Sequence, residues 1–356
     1  MEVGLAAGSV RAVTAELIET ARILVACGKG LLAMDESNDT CNRRFAEVGI
    51  AQTEDARRRY RTLLITTPKL NDSISGAILS DETIRQSAIG GPALVALLGE
   101  RGIVPGIKVD LGTHGLALHP GETVTEGLDG LAERLRDYAA MGARFAKWRA
   151  VLAIGDGLPS AAAIAANAQT LARYAALCQD AGIVPIVEPE LLMTGNHSSE
   201  RSGAVTEALL RALFAALIEQ GVMLEAMILK PNMVLAGSDW PGETLAETVA
   251  AETLSALLRT VPAAVAGIAF LSGGQSGPLA AQRLDAINRR RSLEESRAPW
   301  PLVFSFARAI QHPGLQIWQG DDANIAAAQA AVCHRARCCH AAIHGHYDAA
   351  MEAAAS

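Results

Sequence analysis

Several kinds of segment are missing from this sequence of 356 residues. The amino terminus carries acidic residues at Glu2, Glu16 and Glu19 among apolar residues at helical spacing, and it lacks the basic region and apolar core of a secretory signal peptide. No window reaches the roughly 18 uninterrupted apolar residues of a membrane span. We therefore expect an amino-terminal helix, no membrane contact, and the cytoplasm as the location.

Concentrated positive charge is also missing. The net charge is -7, the sequence pI is about 5.7, and there is no basic block. Binding to nucleic acid or to an anionic membrane requires a basic surface, so neither is an expected partner. A small anionic substrate must instead be held by a few well-placed cations.

Cysteine is sparse, with six residues in the whole chain. Without a secretion signal, we expect all of them to be reduced thiols. Several lie in a Cys/His segment near the carboxyl end, whose spacing fits no zinc pattern. We expect that segment to be a helix surface with reactive thiols and no metal. Its members are Cys333, His334, Cys338, Cys339, His340, His344 and His346.

The apolar pattern predicts the fold. Eight short apolar segments end in polar or glycine residues, and alanine-rich stretches of helical periodicity, such as 159–180 and 205–219, separate them. Strands that alternate with helices in this way favour a single (β/α)8 TIM barrel with an amino-terminal helix and a carboxyl-terminal helical tail at about 321–356. No Pro, Gly or Ser linker divides the chain, so one catalytic domain over 1–356 is expected. The predicted strands are 31–34, 75–80, 105–110, 144–152, 182–191, 226–229, 266–277 and 301–308.

One predicted helix, at residues 55–64, is unusually basic. It carries Arg57, Arg58, Arg59 and Arg61. A charge run on a helix is usually a solvated face, and that is the expectation for this helix.

One lysine, Lys230, follows the apolar run 226–229 directly, and Pro231 comes next. Proline stiffens the chain at that point, and desolvation disfavours a charged ammonium. A neutral amine at a rigid strand end is suited to forming a Schiff base with a carbonyl substrate. The alternative is a lysine that extends to solvent from a strand terminus.

The other charged residues decide between these alternatives. Asp35, Lys108, Lys147 and Glu188 also follow or end predicted strands, and TIM barrels build their active sites at the carboxyl ends of their strands. Bringing such charges together without a use is costly. Lys147, a second cation, disfavours a charged nucleophile by repulsion and can donate protons to a carbinolamine, while Glu188 and Asp35 are the candidate acid/base carboxylates.

Two groups of residues are candidate phosphate sites. A glycine turn after the seventh strand, together with residues at the end of the eighth, presents backbone N–H groups and a guanidinium to an anion. A second polar group lies on the opposite side of the predicted mouth. Two anion sites around an imine-forming lysine indicate a bisphosphorylated sugar. The first group is Ser272, Gly273, Gly274, Ser305 and Arg308, and the second is Ser37, Thr40, Arg44 and Lys108.

Seven segments carry a family resemblance. They read GKGLLAMDES, GIKVD, FAKWR, IVEPE, ILKPNMV, FLSGGQS and FSFARA, and they run in this order from about residue 28 to residue 309. In them the sequence resembles the class I, metal-independent, Schiff-base fructose-bisphosphate aldolases. The resemblance implies reversible cleavage of fructose 1,6-bisphosphate in glycolysis and gluconeogenesis, no cofactor, no metal, and a homotetramer.

The resemblance also implies roles for individual residues. Lys230 matches the Schiff-base lysine and Glu188 the neighbouring proton acceptor. Asp35 and Lys147 match the pair that assists C3–C4 cleavage and carbinolamine turnover. The supporting charges are matched by Glu190 and Arg149. The C1-phosphate cradle is matched by Ser272, Gly273, Gly274, Ser305 and Arg308, and the opposite phosphate site by Ser37, Thr40, Arg44 and Lys108, with Thr40 where many relatives have serine.

Two features depart from the family pattern. Ala307 stands where relatives usually have a glycine whose N–H contacts phosphate. At the carboxyl end, the chain reads to Ser356, and Tyr347 does not match the terminal tyrosine that assists enamine protonation in animal and plant relatives. A Schiff-base aldolase for another phosphorylated ketose, such as fructose 1-phosphate, therefore stays open as an alternative. A catalytically idle scaffold barrel is the alternative from a different class, and the intact Lys230, Lys147, Glu188 and Asp35 argue against it.

Overall fold

The computed structural model describes residues 2–25, 28–242, 244–293 and 298–355. Eight parallel strands close into a barrel in the order β1-β10-β9-β8-β7-β6-β3-β2, and β4 and β5 form a separate antiparallel hairpin. This topology confirms the predicted TIM barrel. The strands are β1 (Gly30–Ala33), β2 (Ile74–Leu79), β3 (Val104–Lys108), β4 (Thr113–Gly115), β5 (Thr123–Thr125), β6 (Phe145–Leu152), β7 (Val184–Leu191), β8 (Ile228–Leu229), β9 (Gly267–Phe270) and β10 (Leu302–Phe306).

Helices follow the barrel strands and surround them. Several begin at a serine whose hydroxyl accepts a hydrogen bond from the backbone N–H three residues further on, as at Ser37, Ser160 and Ser276. The helices are α1 (Glu2–Val25), α2 (Asn38–Glu47), α3 (Glu54–Ile65), α4 (Asp81–Ile84), α5 (Leu94–Glu100), α6 (Leu131–Ala140), α7 (Ala161–Asp180), α8 (Ser199–Glu219), α9 (Ala246–Thr260), α10 (Gly277–Arg291), α11 (Arg308–Trp318) and α12 (Ile325–Ile343). A 3-10 turn, Ala349–Ala355, follows α12.

The amino-terminal helix α1 closes the barrel at the end away from the predicted site. Leu24 packs against Gly76 of β2, Val25 packs against Gly267 at the start of β9, and the Ser75 hydroxyl donates to the Leu24 carbonyl over 2.6 Å. Of the helices that the described ranges contain, none combines the length and the hydropathy needed to cross a membrane.

Inside this end of the barrel, phenylalanine rings fill the space beside glycines, which have no side chain. A Cβ at Gly106 would lie 2.2 Å from the ring of Phe145, and one at Gly30 would lie 2.6 Å from the ring of Phe304. Both separations are far below van der Waals contact. The barrel floor is therefore solid, and chemistry with solvent access is confined to the carboxyl ends of the strands.

Two features differ from the sequence-based expectations. The β4–β5 hairpin, which packs on β6 through a hydrogen bond from the Thr125 hydroxyl to the Arg149 carbonyl, was not predicted. The expectation of a solvated arginine face on α3 was wrong for two of its residues. Arg61 is only 2% exposed and pairs with Glu36 over 2.9 Å, while Arg57 is buried against Glu82. Each guanidinium is drawn inward because a carboxylate from another segment neutralises it.

Candidate active site

Lys230 lies directly after the short strand β8 and points into the barrel mouth. Its backbone N–H donates to the Val187 carbonyl of β7 over 2.8 Å, which holds the residue in the sheet register. The side chain is buried, with the residue 3% exposed, and its Nζ lies 3.1 Å from Oε1 of Glu188. The structure therefore does not support the alternative of a lysine that extends to solvent.

Glu188 joins two lysines through opposite oxygens of one carboxylate. Its Oε2 lies 3.0 Å from Nζ of Lys147 on β6, and the Lys147 nitrogen also lies 2.9 Å from Oδ2 of Asp35, just after β1. Lys230, Glu188, Lys147 and Asp35 thus form one continuous chain of ion pairs across the mouth. All four residues are buried.

The charges in this chain shift one another's pKa. Burial alone would raise the pKa of Asp35 and Glu188, but Lys147 and Lys230 stabilise both carboxylates, and the net pKa of each is lowered. Burial alone would lower the pKa of Lys147, but attraction to Asp35 and Glu188 raises it. At neutral pH, Lys147 is therefore a cation between two anions.

A second ion pair supports the end of β7. The Arg149 guanidinium donates to Glu190, and the Arg149 backbone N–H donates to Oδ2 of Asp110 over 3.3 Å. Asp110 also pairs with Lys108 at 3.0 Å. Glu190 and Arg149 therefore lie at the same mouth as the buried chain, where the sequence placed them.

The predicted phosphate cradle is assembled at one side of the mouth. Gly273 and Gly274 both have positive φ, at 55° and 86°, and a Cβ at Gly274 would lie 3.2 Å from Nη2 of Arg308. The turn therefore requires glycine at this position for its conformation and for the approach of the guanidinium. Ser272 lies beside this turn, and the buried Ser305 hydroxyl has no hydrogen-bond partner within the described residues.

An open cavity of about 700 Å³ reaches this cradle. Arg149, Glu190, Gly273, Gly274 and Arg308 are among its lining residues. The cavity therefore joins the charged mouth to the cradle and is large enough for a small phosphorylated ligand.

Ala307 precedes Arg308 at the first position of α11. Its φ of -103° is negative, so the position does not need the left-handed conformation that favours glycine. The departure from the family glycine is therefore compatible with the turn.

The second predicted phosphate group is only partly brought together. The hydroxyls of Ser37 and Thr40 lie 3.1 Å apart in the first turn of α2. Arg44, on the same helix, donates to Glu36, and Lys108 lies on β3, separated from β1 by β2. The charges of Arg44 and Lys108 are both already balanced by carboxylates, which the sequence did not predict.

Sequence reasoning missed several residues that hold the site together. Burial alone would raise the pKa of Glu36, but it accepts a hydrogen bond from Arg44 and forms an ion pair with Arg61, and these two cations lower its pKa. Asn232 ties two strand ends, because its Oδ1 accepts from the Leu191 N–H over 2.9 Å. The one sequence signal for Asn232 was that it is a polar residue two positions after Lys230.

The expectation of reactive surface thiols on the last helix was wrong for two of its three cysteines, while Cys333 is only half-buried. Cys338 and Cys339 of α12 are buried, and burial raises the pKa of Cys339 to about 12. The five cysteines at positions 41, 178, 333, 338 and 339 are free thiols, and Cys27 lies outside the described residues.

One group in this region has the composition of a metal site. His334, Cys338 and Glu352 place their donor atoms within 4.8 Å of one another. However, Arg335 donates to both oxygens of Glu352, and burial raises the pKa of Cys338. A cation on the carboxylate and a protonated thiol both disfavour metal ligation.

The closed barrel and the buried ion pairs at the carboxyl ends of its strands have the arrangement of a TIM-barrel enzyme. The chain belongs to the class I fructose-bisphosphate aldolase family, because the family described as "Fructose-bisphosphate aldolase class-I" matches residues 16–356. This finding confirms the resemblance that the seven segments carry.

Individual relatives agree with this assignment. A "Probable fructose-bisphosphate aldolase class 1" of Xylella fastidiosa (strain Temecula1 / ATCC 700964) is 53% identical over 323 residues, which cover 90% of this chain and 95% of that protein. "Fructose-bisphosphate aldolase 5, cytosolic" of Arabidopsis thaliana is 49% identical over 315 residues, covering 88% and 87%. A solved structure of the aldolase from Plasmodium falciparum, in complex with TRAP and a small-molecule inhibitor, has a TM-score of 0.92 and 45% identity, covering 94% of this chain and 96% of that chain.

Proposed function

We propose that this protein cleaves fructose 1,6-bisphosphate reversibly to dihydroxyacetone phosphate and glyceraldehyde 3-phosphate through a Schiff base on Lys230. The observation that carries the proposal is the Glu188 carboxylate, which lies 3.1 Å from the Lys230 nitrogen and 3.0 Å from the Lys147 nitrogen. A carboxylate that contacts two amines can take a proton from one and deliver a proton through the other. Imine formation requires both transfers.

The first steps form the imine. Glu188 accepts a proton from Lys230, and the neutral amine attacks the C2 ketone, forming a C–N bond while the carbonyl oxygen takes a proton from Lys147. Loss of that oxygen as water, after a second proton transfer, gives the iminium. This sequence is supported by the position of the Lys147 nitrogen, which lies 2.9 Å from Asp35 and 3.0 Å from Glu188 and can exchange protons with both carboxylates.

Carbon–carbon cleavage follows from the iminium. A carboxylate of the mouth, with Asp35 and Lys147 assisting, takes the proton of the C4 hydroxyl. The C3–C4 bond breaks, its electron pair moves into the iminium to give an enamine, and glyceraldehyde 3-phosphate leaves. Protonation of the enamine at C3 and hydrolysis then release dihydroxyacetone phosphate and free Lys230.

The two phosphate sites determine the orientation of the substrate in the barrel mouth. The C1 phosphate is assigned to Ser272, Gly273, Gly274, Ser305, Ala307 and Arg308, a group supported by the free Ser305 hydroxyl, taken over the described residues, and by the open approach to Arg308. The opposite phosphate is assigned to Ser37, Thr40, Arg44 and Lys108. The charge pairs of Arg44 and Lys108 must then rearrange or share their cations when the phosphate binds.

The proposal extends to the whole protein. We assign one catalytic domain to residues 1–356, because buried apolar residues from Leu32 to Ala342 form one continuous cluster. A cytoplasmic location is supported by the cytosolic name of the Arabidopsis relative. A homotetramer and a metal-independent reaction follow the family pattern, and sedimentation and activity in chelator test them.

The direct test is cleavage of fructose 1,6-bisphosphate by chelator-treated protein, with product formation followed in a coupled assay. The wild type is expected to retain activity, and Lys230→Arg, which keeps the charge but removes the primary amine, is expected to lose it. Lys69→Arg is the matched control, because Lys69 is an exposed lysine. Full activity in Lys230→Arg, or activity that requires metal, would overturn the proposal. Fructose 1-phosphate in the same assay measures the preference between the two ketoses.

A further inference from the structure

A second cavity lies behind the phosphate cradle, between the start of α10 and the end of the chain. Its volume is about 380 Å³, and Gly277, Arg308, His312, Arg335 and Glu352 are among its lining residues. Gly274 and Arg308 line this cavity as well as the one that opens at the barrel mouth. The two cavities therefore share one guanidinium.

Arg335 on α12 is the central residue of this second cavity. It is only 4% exposed. Its Nε donates to the Ala309 carbonyl over 3.3 Å, and its Nη1 donates to both carboxylate oxygens of Glu352. Its Nη2 is buried and has no hydrogen-bond partner among residues 2–25, 28–242, 244–293 and 298–355. A charged nitrogen in this state is costly unless a further acceptor satisfies it.

The unpartnered nitrogen faces the start of a helix. A Cβ on Gly277, the first residue of α10, would lie 2.9 Å from Nη2 of Arg335. The helix spans 15 residues, and Ser276 caps it. The dipole of a helix favours an anion at its amino terminus, and Gly277 supplies the N–H group there, because Pro278 has none and the Leu279 N–H donates to Ser276. Glycine here leaves room for the guanidinium to pack directly against the helix end.

The charge balance of the cavity favours an anion. Arg308 and Arg335 line it, and Glu352 is the one carboxylate among its lining residues within the described part of the chain. Glu352 comes from the 3-10 turn that follows α12, and the Tyr347 hydroxyl donates to it over 2.8 Å. The chain itself thus supplies a carboxylate to one nitrogen of Arg335 and leaves the other without an acceptor.

We propose that this cavity is a second oxyanion site, which binds inorganic phosphate or the phosphoryl group of a phosphate monoester. Nη2 of Arg335, the start of α10 and Arg308 bind the anion. Glu352 weakens this binding by repulsion, because it stays on Nη1 of the same guanidinium. The site lies behind the predicted C1-phosphate cradle and shares Arg308 with it, and its binding of an anion does not depend on the proposed activity.

The test is calorimetric titration of the full-length protein with inorganic phosphate. Glu352→Gln removes the repelling charge and keeps a hydrogen-bonding side chain, so phosphate affinity at this site should rise about tenfold. Arg335→Lys should lower the affinity at least as much, because a lysine lacks the second N–H donor arm. Glu352→Gln leaves every residue of the cradle unchanged, so the direction of its effect decides the proposal.

Two controls separate this site from the substrate cradle and from a general charge effect. Asp348→Asn removes one negative charge from the same carboxyl-terminal segment at an exposed residue outside the cavity lining, and it should leave phosphate affinity unchanged. Ser272→Ala alters the cradle and should leave the effect of Glu352→Gln intact. Unchanged or weaker phosphate binding in Glu352→Gln would overturn the proposal. An equal gain in Asp348→Asn would also overturn it, since nonspecific charge would then explain the effect.

A kinetic readout follows from the shared guanidinium and rests on the proposed function. Phosphate in the second cavity competes with the bisphosphate for Arg308, so added phosphate should raise KM for the bisphosphate. In Glu352→Gln, the same rise in KM should require about tenfold less phosphate than in the wild type. Absence of any cleavage would refute the proposed function and leave the calorimetric result to decide the anion site. Cleavage with no phosphate binding behind the cradle would refute the anion site alone.

Discussion

The amine nitrogen of Lys230 lies 3.1 Å from a carboxylate oxygen of Glu188, and both residues are 3% exposed. Neither charge is stable at this buried position without the other, because removing one partner leaves a buried charge uncompensated. The same contact gives the carboxylate direct access to a proton on the amine. One pair thus serves both the stability of the mouth and the proposed chemistry.

Glu188→Gln should separate these two effects. The amide keeps the shape and a hydrogen bond to Lys230, but it cannot accept a proton, so kcat should fall about 10²- to 10⁴-fold. The variant should also lose about 3 kcal/mol in the free energy of unfolding, because two lysines lose one anion. Steady-state kinetics and urea unfolding measure the two quantities. Glu200→Gln, at an exposed glutamate of α8, is the control, and a kcat within threefold of the wild type in Glu188→Gln would refute the proton role.

Asp35→Asn should reveal the pH dependence of the ion-pair chain. The folded-state pKa of Asp35 is lowered: burial opposes this, but Lys147, Lys230 and Lys108 outweigh it. A lowered pKa contributes stability above the unfolded pKa near 4 and loses it as pH falls. The variant should therefore be about 2 kcal/mol less stable than the wild type at pH 7, and the difference should shrink below about pH 4. Urea unfolding from pH 7 to pH 3 checks this, and a difference that grows toward acid would contradict the assignment.

Arg61→Met tests the buried pair under the loop that carries Asp35. Glu36 keeps Arg44 but loses its most buried partner, so the free energy of unfolding should fall by about 3–5 kcal/mol. Arg61→Lys should recover part of the loss. Arg58→Met, which breaks a partly exposed pair with Asp55 on the same helix, should cost no more than about 1 kcal/mol. Equal losses in Arg58→Met and Arg61→Met would show that the buried pair carries no special weight.

Ala307→Gly tests whether the family departure in the cradle matters. The backbone of Ala307 has a negative φ, so glycine should reproduce the same N–H direction. KM for the bisphosphate should change less than threefold, and the free energy of unfolding should fall by about 0.5–1 kcal/mol because glycine gains freedom in the unfolded chain. A tenfold fall in KM would instead show that the methyl group narrows the phosphate site.

The sequence predicted the barrel and the position of Lys230 because both depend on local pattern. An apolar run that ends in one lysine specifies a strand end wherever the barrel closes. Arg61 was not predictable in this way, because its burial depends on Glu36, a residue 25 positions earlier in the chain. The helical pattern does not distinguish the four arginines of α3 from one another. Tertiary packing decides which of them contacts a carboxylate.

The same limit applies at the end of the chain. Cys338 and Glu352 carry no sequence signal of burial or of partner. In the structure Cys338 and Cys339 are buried, and Cys339 packs in the main apolar cluster. Glu352 pairs with Arg335 across a turn that the hydrophobic periodicity of the sequence does not predict. Site residues on strand ends were therefore predictable, while the residues that position them were not.

The most direct test of the account is covalent trapping of the imine. The chain has five lysines, at positions 29, 69, 108, 147 and 230, and the tryptic peptide 212–259 contains only Lys230. The protein is incubated with fructose 1,6-bisphosphate and borohydride in excess chelator, and the adduct is mapped by peptide mass. The account predicts one dihydroxyacetone phosphate adduct, on that peptide and on no other. An adduct elsewhere, or no adduct together with cleavage that chelator abolishes, would contradict it.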